Sequence, residues 1–110
     1  MATRRAILER AGYEVTLAHN LREVVAACTV NSFDVVILGQ SLPAREKQRL
    51  VHIVLEHCKP IRFLEYHNGI APDMPSVHAH LHVPSSTPQS LVECVKSLAA
   101  DLAREKEEQS

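Results

Sequence analysis

The chain has 110 residues, of which 45% are hydrophobic and 23% charged, with a formal net charge of −1 at pH 7. This composition predicts a single soluble globular domain over residues 1–110 and excludes a disordered chain. Because the charges of both signs are intermingled, we expect neither nucleic acid nor a membrane surface as a partner. No apolar run approaches the length of a membrane-spanning helix, and no signal-peptide pattern opens the chain.

The three cysteines, Cys28, Cys58 and Cys94, are an odd number without close spacing. Each lies in an apolar stretch, which is typical of a buried thiol that is not a nucleophile. We therefore expect reduced cysteines and a cytoplasmic protein.

The first half of the chain alternates between helix and strand patterns. Residues 3–11 predict a short helix with a threonine cap, ended by Gly12. Alternating apolar residues over 13–18 predict a half-buried strand near an edge of a sheet. Asn20 begins an amphipathic helix, and residues 34–39 contain an unbroken apolar run. Such a run is typical of a strand that is buried on both faces of a parallel sheet.

The second half continues this alternation. It predicts a helix over 44–57, a short strand over 61–66 and a segment interrupted by prolines over 70–77. A last strand over 78–83 and a final helix from Pro88 onwards follow. A charged tail follows from about Arg104, and we expect it to fray. Strands that alternate with helices predict an α/β fold, in which helices cover both faces of a parallel sheet.

In order and spacing, these elements resemble the receiver domain of two-component response regulators, which has a flavodoxin-like fold. The resemblance rests on Leu8–Val15, on residues 33–38 followed by Pro43, and on His82–Pro84 followed by the last helix. It extends from Thr3 to about Leu102. It implies a signalling module of a two-component system or phosphorelay.

The resemblance also implies where chemistry would lie, and there this chain departs from the family. Receivers accept a phosphoryl group on an aspartate, with Mg²⁺ held by further carboxylates and with a lysine and a hydroxyl on the phosphoryl oxygens. Gly39 stands in place of the aspartate, Val83 in place of the lysine, and Glu65 or Tyr66 near the place of the hydroxyl residue. We therefore expect a degenerate receiver that cannot be phosphorylated, is not an enzyme and uses no cofactor.

The chain has no residues for the family's first strand, which carries the metal-binding acidic pair, so we expect four strands. Because that strand is central in receivers, its loss leaves two neighbours unpaired. The strand over 13–18 could pair directly with that over 34–39, or a partner chain could bridge the gap. A third possibility is that the missing strand is encoded upstream. We expect a homodimer more often than in a typical receiver.

Receivers dimerise and dock partners through the surface around their last strand and last helix. The resemblance therefore implies a protein partner on the matching residues here, which are His80, His82, Leu91, Val95, Leu98 and Leu102.

Two alternative functions stay open. Alternation along the last strand places His78, His80 and His82 on one face, and three histidines can bind zinc. Neighbours on one face of a strand are roughly 6.5–7 Å apart, however, which is wide for a small ion, so a polar surface is favoured. A small metal-binding protein or enzyme would use these histidines with Glu65 and Tyr66, although Glu65 has no evident partner in the sequence. The other alternative is a fragment of a longer regulator.

Overall fold

The fold alternates between helices and strands. A computed structural model of the protein describes residues 3–58 and 60–108. These ranges form α1 (Arg4–Arg10), α2 (Leu21–Val30), β1 (Val35–Leu38), α3 (Ala44–His57), β2 (Arg62–His67), β3 (Ala79–His82) and α4 (Pro88–Glu108). A short 3-10 helix, Val83–Ser85, connects β3 to α4.

The strands form one parallel sheet in the order β1-β2-β3. In its register Val36 pairs with Phe63, and Glu65 pairs with His80. Helix α3 connects β1 to β2, as parallel strands require a crossover. The predicted parallel α/β architecture is therefore confirmed.

Helices cover both faces of the sheet because successive strand residues point to opposite sides. On one face, strand residues join α3 in a group that we call the α3 cluster: Leu38, Val51, Val54, Ile61, Phe63, Met74 and Val77. On the other face they join α1 and α4 in the α4 cluster: Leu8, Leu64, Tyr66, Leu91, Val95 and Leu98.

Side-chain caps begin three of the helices, two of them at the predicted caps of α1 and α2. The Oγ1 of Thr3 accepts an N–H bond in α1 at 3.1 Å, and that of Thr87 accepts one in α4 at 3.0 Å. Asn20 Oδ1 accepts the N–H of Glu23 at 2.9 Å at the start of α2. Gly12, after α1, has a φ of 98°, the left-handed conformation expected of a glycine that ends a helix.

Residues 13–18 do not form the predicted strand, so the described part of the chain has three strands instead of four. Tyr13 and Val15 are half-buried against the α4 cluster, whereas Leu17 is 55% exposed. The direct pairing of this segment with β1 is also wrong. Alternation selects a face for each side chain, but a strand also needs a neighbouring backbone to bond with.

Helix α4 continues through the segment that was predicted to fray. The Arg62 guanidinium lies 2.6 Å from the Glu105 carboxylate, and Lys106 lies 3.9 Å from Asp34, which ties the end of α4 to the sheet. The last two residues of the predicted tail lie outside the described residues. No helix within the described ranges combines the length and the apolarity needed to cross a bilayer.

Two of the three cysteines are joined, contrary to the expectation of reduced thiols. Cys28 in α2 and Cys58 at the end of α3 form a disulfide, with Cα atoms 5.5 Å apart. Their separation of 30 positions gave no sign of this contact, because it depends on how α2 packs against α3. Cys94 is a free thiol that packs half-buried against the α4 cluster. Burial raises the pKa of this thiol.

Candidate functional site

The carboxyl ends of the three parallel strands meet at one edge of the sheet. In open α/β sheets, ligands bind beyond this edge. Gly39 follows β1 there, Glu65 and His67 lie towards the end of β2, and His82 ends β3. Glu65 is the neighbour of His80 in the register, and His67 is the neighbour of His82.

An ion cluster with a buried lysine–glutamate pair joins three parts of the chain at this edge. We call Lys47 of α3, Glu65 of β2 and Asp73 of the loop before β3 the lysine clamp. The side chains of Lys47 and Glu65 are both 0% exposed, and Lys47 Nζ lies 2.8 Å from Glu65 Oε2. The same Nζ lies 3.0 Å from Asp73 Oδ2 and 3.0 Å from the carbonyl oxygen of Tyr66. Because an ammonium group has three N–H bonds, all of those of Lys47 are engaged.

The backbone of the following loop holds the Glu65 carboxylate as well. Its Oε2 accepts the N–H of Asp73 at 3.0 Å, and its Oε1 accepts the N–H of Met74 at 3.1 Å. His80 Nε2 lies 3.8 Å from Glu65 Oε1 and 2.8 Å from the carbonyl oxygen of Met74. Since a carbonyl oxygen only accepts, this Nε2 carries a proton and donates. Glu65 therefore has several partners, contrary to the sequence-based expectation.

The charges of the clamp decide what it can do chemically. Burial lowers the pKa of Lys47, but the hydrogen bonds and charges of Glu65 and Asp73 outweigh this effect, so its pKa lies above the ordinary 10.5. Lys47 is an ammonium ion at neutral pH and lacks the lone pair of a nucleophile or a general base. The clamp is thus built to fasten the loop before β3 onto the sheet and α3.

The position of the family's phosphoacceptor has space but no nucleophile. Gly39 lies at the carboxyl end of β1, and a Cβ placed there would meet no atom within 4 Å. Its carbonyl oxygen accepts the N–H of Leu42 at 3.2 Å in the turn that follows. The next residue, Gln40, has a buried Oε1 without a hydrogen-bond partner among the described residues.

Tyr66 and Val83 belong to the opposite face of the sheet from the clamp. The Tyr66 side chain lies in the α4 cluster, and the Arg4 guanidinium lies 3.4 Å from its ring centroid. Burial raises the pKa of Tyr66, while the charge of Arg4 acts in the opposite direction. Val83 opens the 3-10 helix and packs against the same cluster. Of the predicted degenerate positions, only Glu65 contributes a side chain to the clamp.

The three histidines of the alternative metal site have separate partners. His78 precedes β3, and its Nδ1 accepts the backbone N–H of Phe63 at 3.0 Å. His80 donates to the loop before β3, and the ring of His82 lies 5.2 Å from that of His67. In the described ranges, no group of three or more His, Cys, Asp or Glu side chains could hold a metal ion.

The residues of the implied docking surface lie mostly inside the fold. The apolar members are at most 5% exposed and pack α4 against the rest of the domain, so they do not line a surface: Leu91, Val95, Leu98 and Leu102. His80 and His82 are half-buried on β3. Any partner of α4 would therefore bind a different face of the helix.

Lys47 and Asp73 were not identified from the sequence. Lys47 lies three and four residues ahead of Leu50 and Val51, on the stripe of α3 that faces the sheet. A charged residue on the inner stripe of a helix was therefore an available signal. No signal in the sequence indicated Asp73, because it follows Pro72 in a segment without periodicity.

Comparisons with protein families, with curated proteins and with solved structures find no match to this chain.

Proposed function

We propose that the protein is a receiver-like signalling module, with flavodoxin-like topology, that binds a protein partner without being phosphorylated. Three features of the carboxyl edge support this function. Gly39 provides no phosphoacceptor, and Val83 provides no lysine. Glu65, on the neighbouring strand, is held by Lys47 and two backbone N–H groups. The edge is therefore organised around a fixed clamp.

The observation that carries the binding function is the free outer edge of β1. The carbonyl oxygen of Asp34 accepts the N–H of Arg62 at 2.9 Å, so Asp34 and Val36 direct their backbone groups toward β2. The backbone N–H and C=O groups of Val35 and Ile37 consequently point away from β2. Among the described residues, no strand pairs with that side. Such an edge binds an added strand through main-chain hydrogen bonds.

The side chains along this edge favour a further strand too. Val35, Val36 and Ile37 are only half-buried, whereas β2 is buried from Phe63 to the end of the strand. Every copy of the chain presents the same edge, so two copies can pair about a twofold axis into one continuous sheet. We therefore propose a homodimer through β1, and a protein partner that uses the same edge.

The pathway follows from the receiver resemblance. We propose that the protein works in the cytoplasm in a two-component system or phosphorelay. Because strand pairing needs no phosphoryl group, binding at β1 would be independent of phosphodonors.

Amide NMR spectra recorded with Mg²⁺ and the phosphoryl mimic beryllofluoride test the phosphorylation part of the proposal. We expect the resonances of Gly39 and of the lysine clamp to stay unchanged. The control Gly39→Asp has room for the added Cβ, yet we expect no response, because Val83 still stands in place of the lysine. Saturable shifts around Gly39 in the unmodified protein would contradict the proposal.

Light scattering over a concentration series tests association through β1. Val35→Pro removes an outward N–H at a position where a sheet edge tolerates proline, while the matched Val35→Thr keeps that N–H. We expect the unmodified protein and Val35→Thr to dimerise and Val35→Pro to stay monomeric with an unchanged circular dichroism spectrum. An unmodified protein that is monomeric at every concentration, or a dimer that survives Val35→Pro, argues against this interface.

A further inference from the structure

Helix α2 is attached to the fold without any fully buried side chain, whereas α1, α3 and α4 each bury at least one. Leu21, Val24 and Val25 of α2 are half-buried. Val24 packs at the margin of the α3 cluster, and α2 contacts α3. Because stabilisation by packing scales with the apolar area buried, α2 is held weakly by its side chains.

The disulfide supplies a second attachment. Cys28 lies in the last turn of α2, and Cys58 is the residue that ends α3. The bond therefore joins the carboxyl-terminal ends of the two helices, across a separation of 30 positions. Both cysteines are only half-buried, so the bond lies at the margin of the fold and outside the fully buried core.

The rest of the fold is fastened independently of this bond. The lysine clamp ties β2, α3 and the loop before β3 together. The ion pair between Arg62 and Glu105, at 2.6 Å, ties α4 to β2. Opening the disulfide would therefore loosen α2 and leave these other connections in place.

We propose that the Cys28–Cys58 disulfide is a redox latch that holds α2 on α3 and is opened by a dithiol reductant of the thioredoxin class. A thiolate of the reductant attacks one sulfur, and its second thiol resolves the mixed disulfide. The S–S bond breaks, two electrons and two protons pass to the cysteines, and the reductant leaves as its own disulfide. This inference rests on the cytoplasmic location proposed above, where a disulfide is typically of this redox-responsive kind.

Release of α2 would also open the apolar groove between the two helices. Its walls are Leu21, Val25 and Ala26 on α2 and Ile53 on α3. Departure of α2 would further uncover the margin of the α3 cluster against which Val24 packs. The reduced protein would therefore present apolar surface that the oxidised protein covers.

Hydrogen–deuterium exchange of the full chain, read out by mass spectrometry, tests the latch. The protein is first oxidised with glutathione disulfide and then compared with a sample reduced by dithiothreitol. We expect amides of α2 to exchange at least about tenfold faster after reduction, with little change in β2 and α4. Cys28→Ser should show fast α2 exchange without reductant. Cys94→Ser, the matched control, should keep the dependence on reductant.

Three results would overturn the proposal. The first is equal exchange of α2 in the oxidised protein, the reduced protein and Cys28→Ser, since the disulfide would then hold nothing. The second is an equal acceleration of α2, β2 and α4, which would make the bond a support of the whole domain. The third is a thiol titration that finds all the cysteines free after treatment with glutathione disulfide.

Discussion

Lys47 is buried together with its charge, which proteins tolerate only when the charge is paired and hydrogen-bonded. The clamp satisfies both conditions, with two carboxylates and a carbonyl oxygen around one ammonium group. A buried ion pair contributes little net stability over an apolar replacement, but loss of one partner is costly. We therefore expect its members to behave as a unit.

The first prediction concerns that unit. Lys47→Met should lower the free energy of unfolding by about 3–5 kcal/mol, because the buried Glu65 carboxylate loses its counter-charge. Lys47→Met combined with Glu65→Gln should be more stable than Lys47→Met alone, since the amide is neutral and its one oxygen still accepts one of the two backbone N–H bonds. Urea unfolding measures both differences.

Lys106→Met is the control for Lys47→Met, because it removes a lysine from an exposed ion pair instead of a buried one. The Lys106 side chain is 50% exposed and lies 3.9 Å from Asp34. This substitution should change stability by less than about 1 kcal/mol, as exposed ion pairs do. Strictly additive effects of the Lys47 and Glu65 substitutions would show that the two residues do not form a unit.

The second prediction concerns His78 and pH. Burial, and then the charge of Arg62, lower the His78 pKa below its ordinary 6.5, while Glu105 acts in the opposite direction. The folded protein thus binds this proton less readily than the unfolded chain. The resulting contribution to stability is complete above pH 6.5 and is lost as the pH falls below it toward the folded-state pKa.

NMR titration of the His78 ring measures this pKa directly, and urea unfolding at several pH values measures its effect. His78→Gln should show less loss of stability on acidification than the unmodified protein. A His78 pKa above 6.5 in the folded protein would contradict the prediction.

At the scale of elements, the third prediction concerns the start of α2. Because α2 buries no side chain completely, its cap carries more of its stability than in a helix with a buried face. Asn20→Ala removes the acceptor for the Glu23 N–H and should cost about 1 kcal/mol, measured by urea unfolding. Asn20→Asp keeps an acceptor oxygen and should cost little. Equal losses in the two variants would show that the cap does not stabilise α2.

Most elements could be predicted from local patterns because their causes are local. The cap at Asn20 and the left-handed Gly12 depend on residues within one turn of a helix. The apolar run of β1 forms a strand whose side chains pack against both clusters, although only Leu38 is fully buried. Residues 13–18 carry an alternating pattern that is also typical of a strand, yet they do not form one. Strand pairing depends on a neighbouring backbone, which no local pattern specifies.

At the scale of the whole molecule, the sheet separates the α3 cluster from the α4 cluster, and this separation leads to the fourth prediction. Val54 is 0% exposed in the first, and Leu91 is 1% exposed in the second. Val54→Ala and Leu91→Ala should each destabilise, Leu91→Ala by about 2–5 kcal/mol. In the double variant the losses should add within about 0.5 kcal/mol, because the two sites share no cavity.

Urea unfolding of the single and double variants makes this comparison, and Val51→Ala with Val54→Ala is the contrasting pair inside one cluster. The separation of the two clusters would be contradicted if the losses from Val54→Ala and Leu91→Ala departed further from additivity than those from Val51→Ala and Val54→Ala.

The contacts that sequence patterns did not predict are those between distant parts of the chain. Cys28 and Cys58 meet only because α2 lies on α3, and Asp73 reaches Lys47 only because its loop folds back over the sheet edge. Lys47 lies on the buried stripe of α3 with Val51 and Val54, and its place there was not predicted. Its burial depends on acceptors from β2 and the loop, which helical periodicity cannot reveal.

The placement of the tyrosines has an optical consequence. The chain has no tryptophan and two tyrosines, so Tyr13 and Tyr66 supply its intrinsic fluorescence. Tyr66 belongs to the α4 cluster and Tyr13 packs against it, while the disulfide lies across the sheet. The emission therefore reports on one layer of the molecule. A change in emission on reduction would mean that a rearrangement at α2 reaches the opposite face, either through the sheet or along the segment that joins Tyr13 to α2.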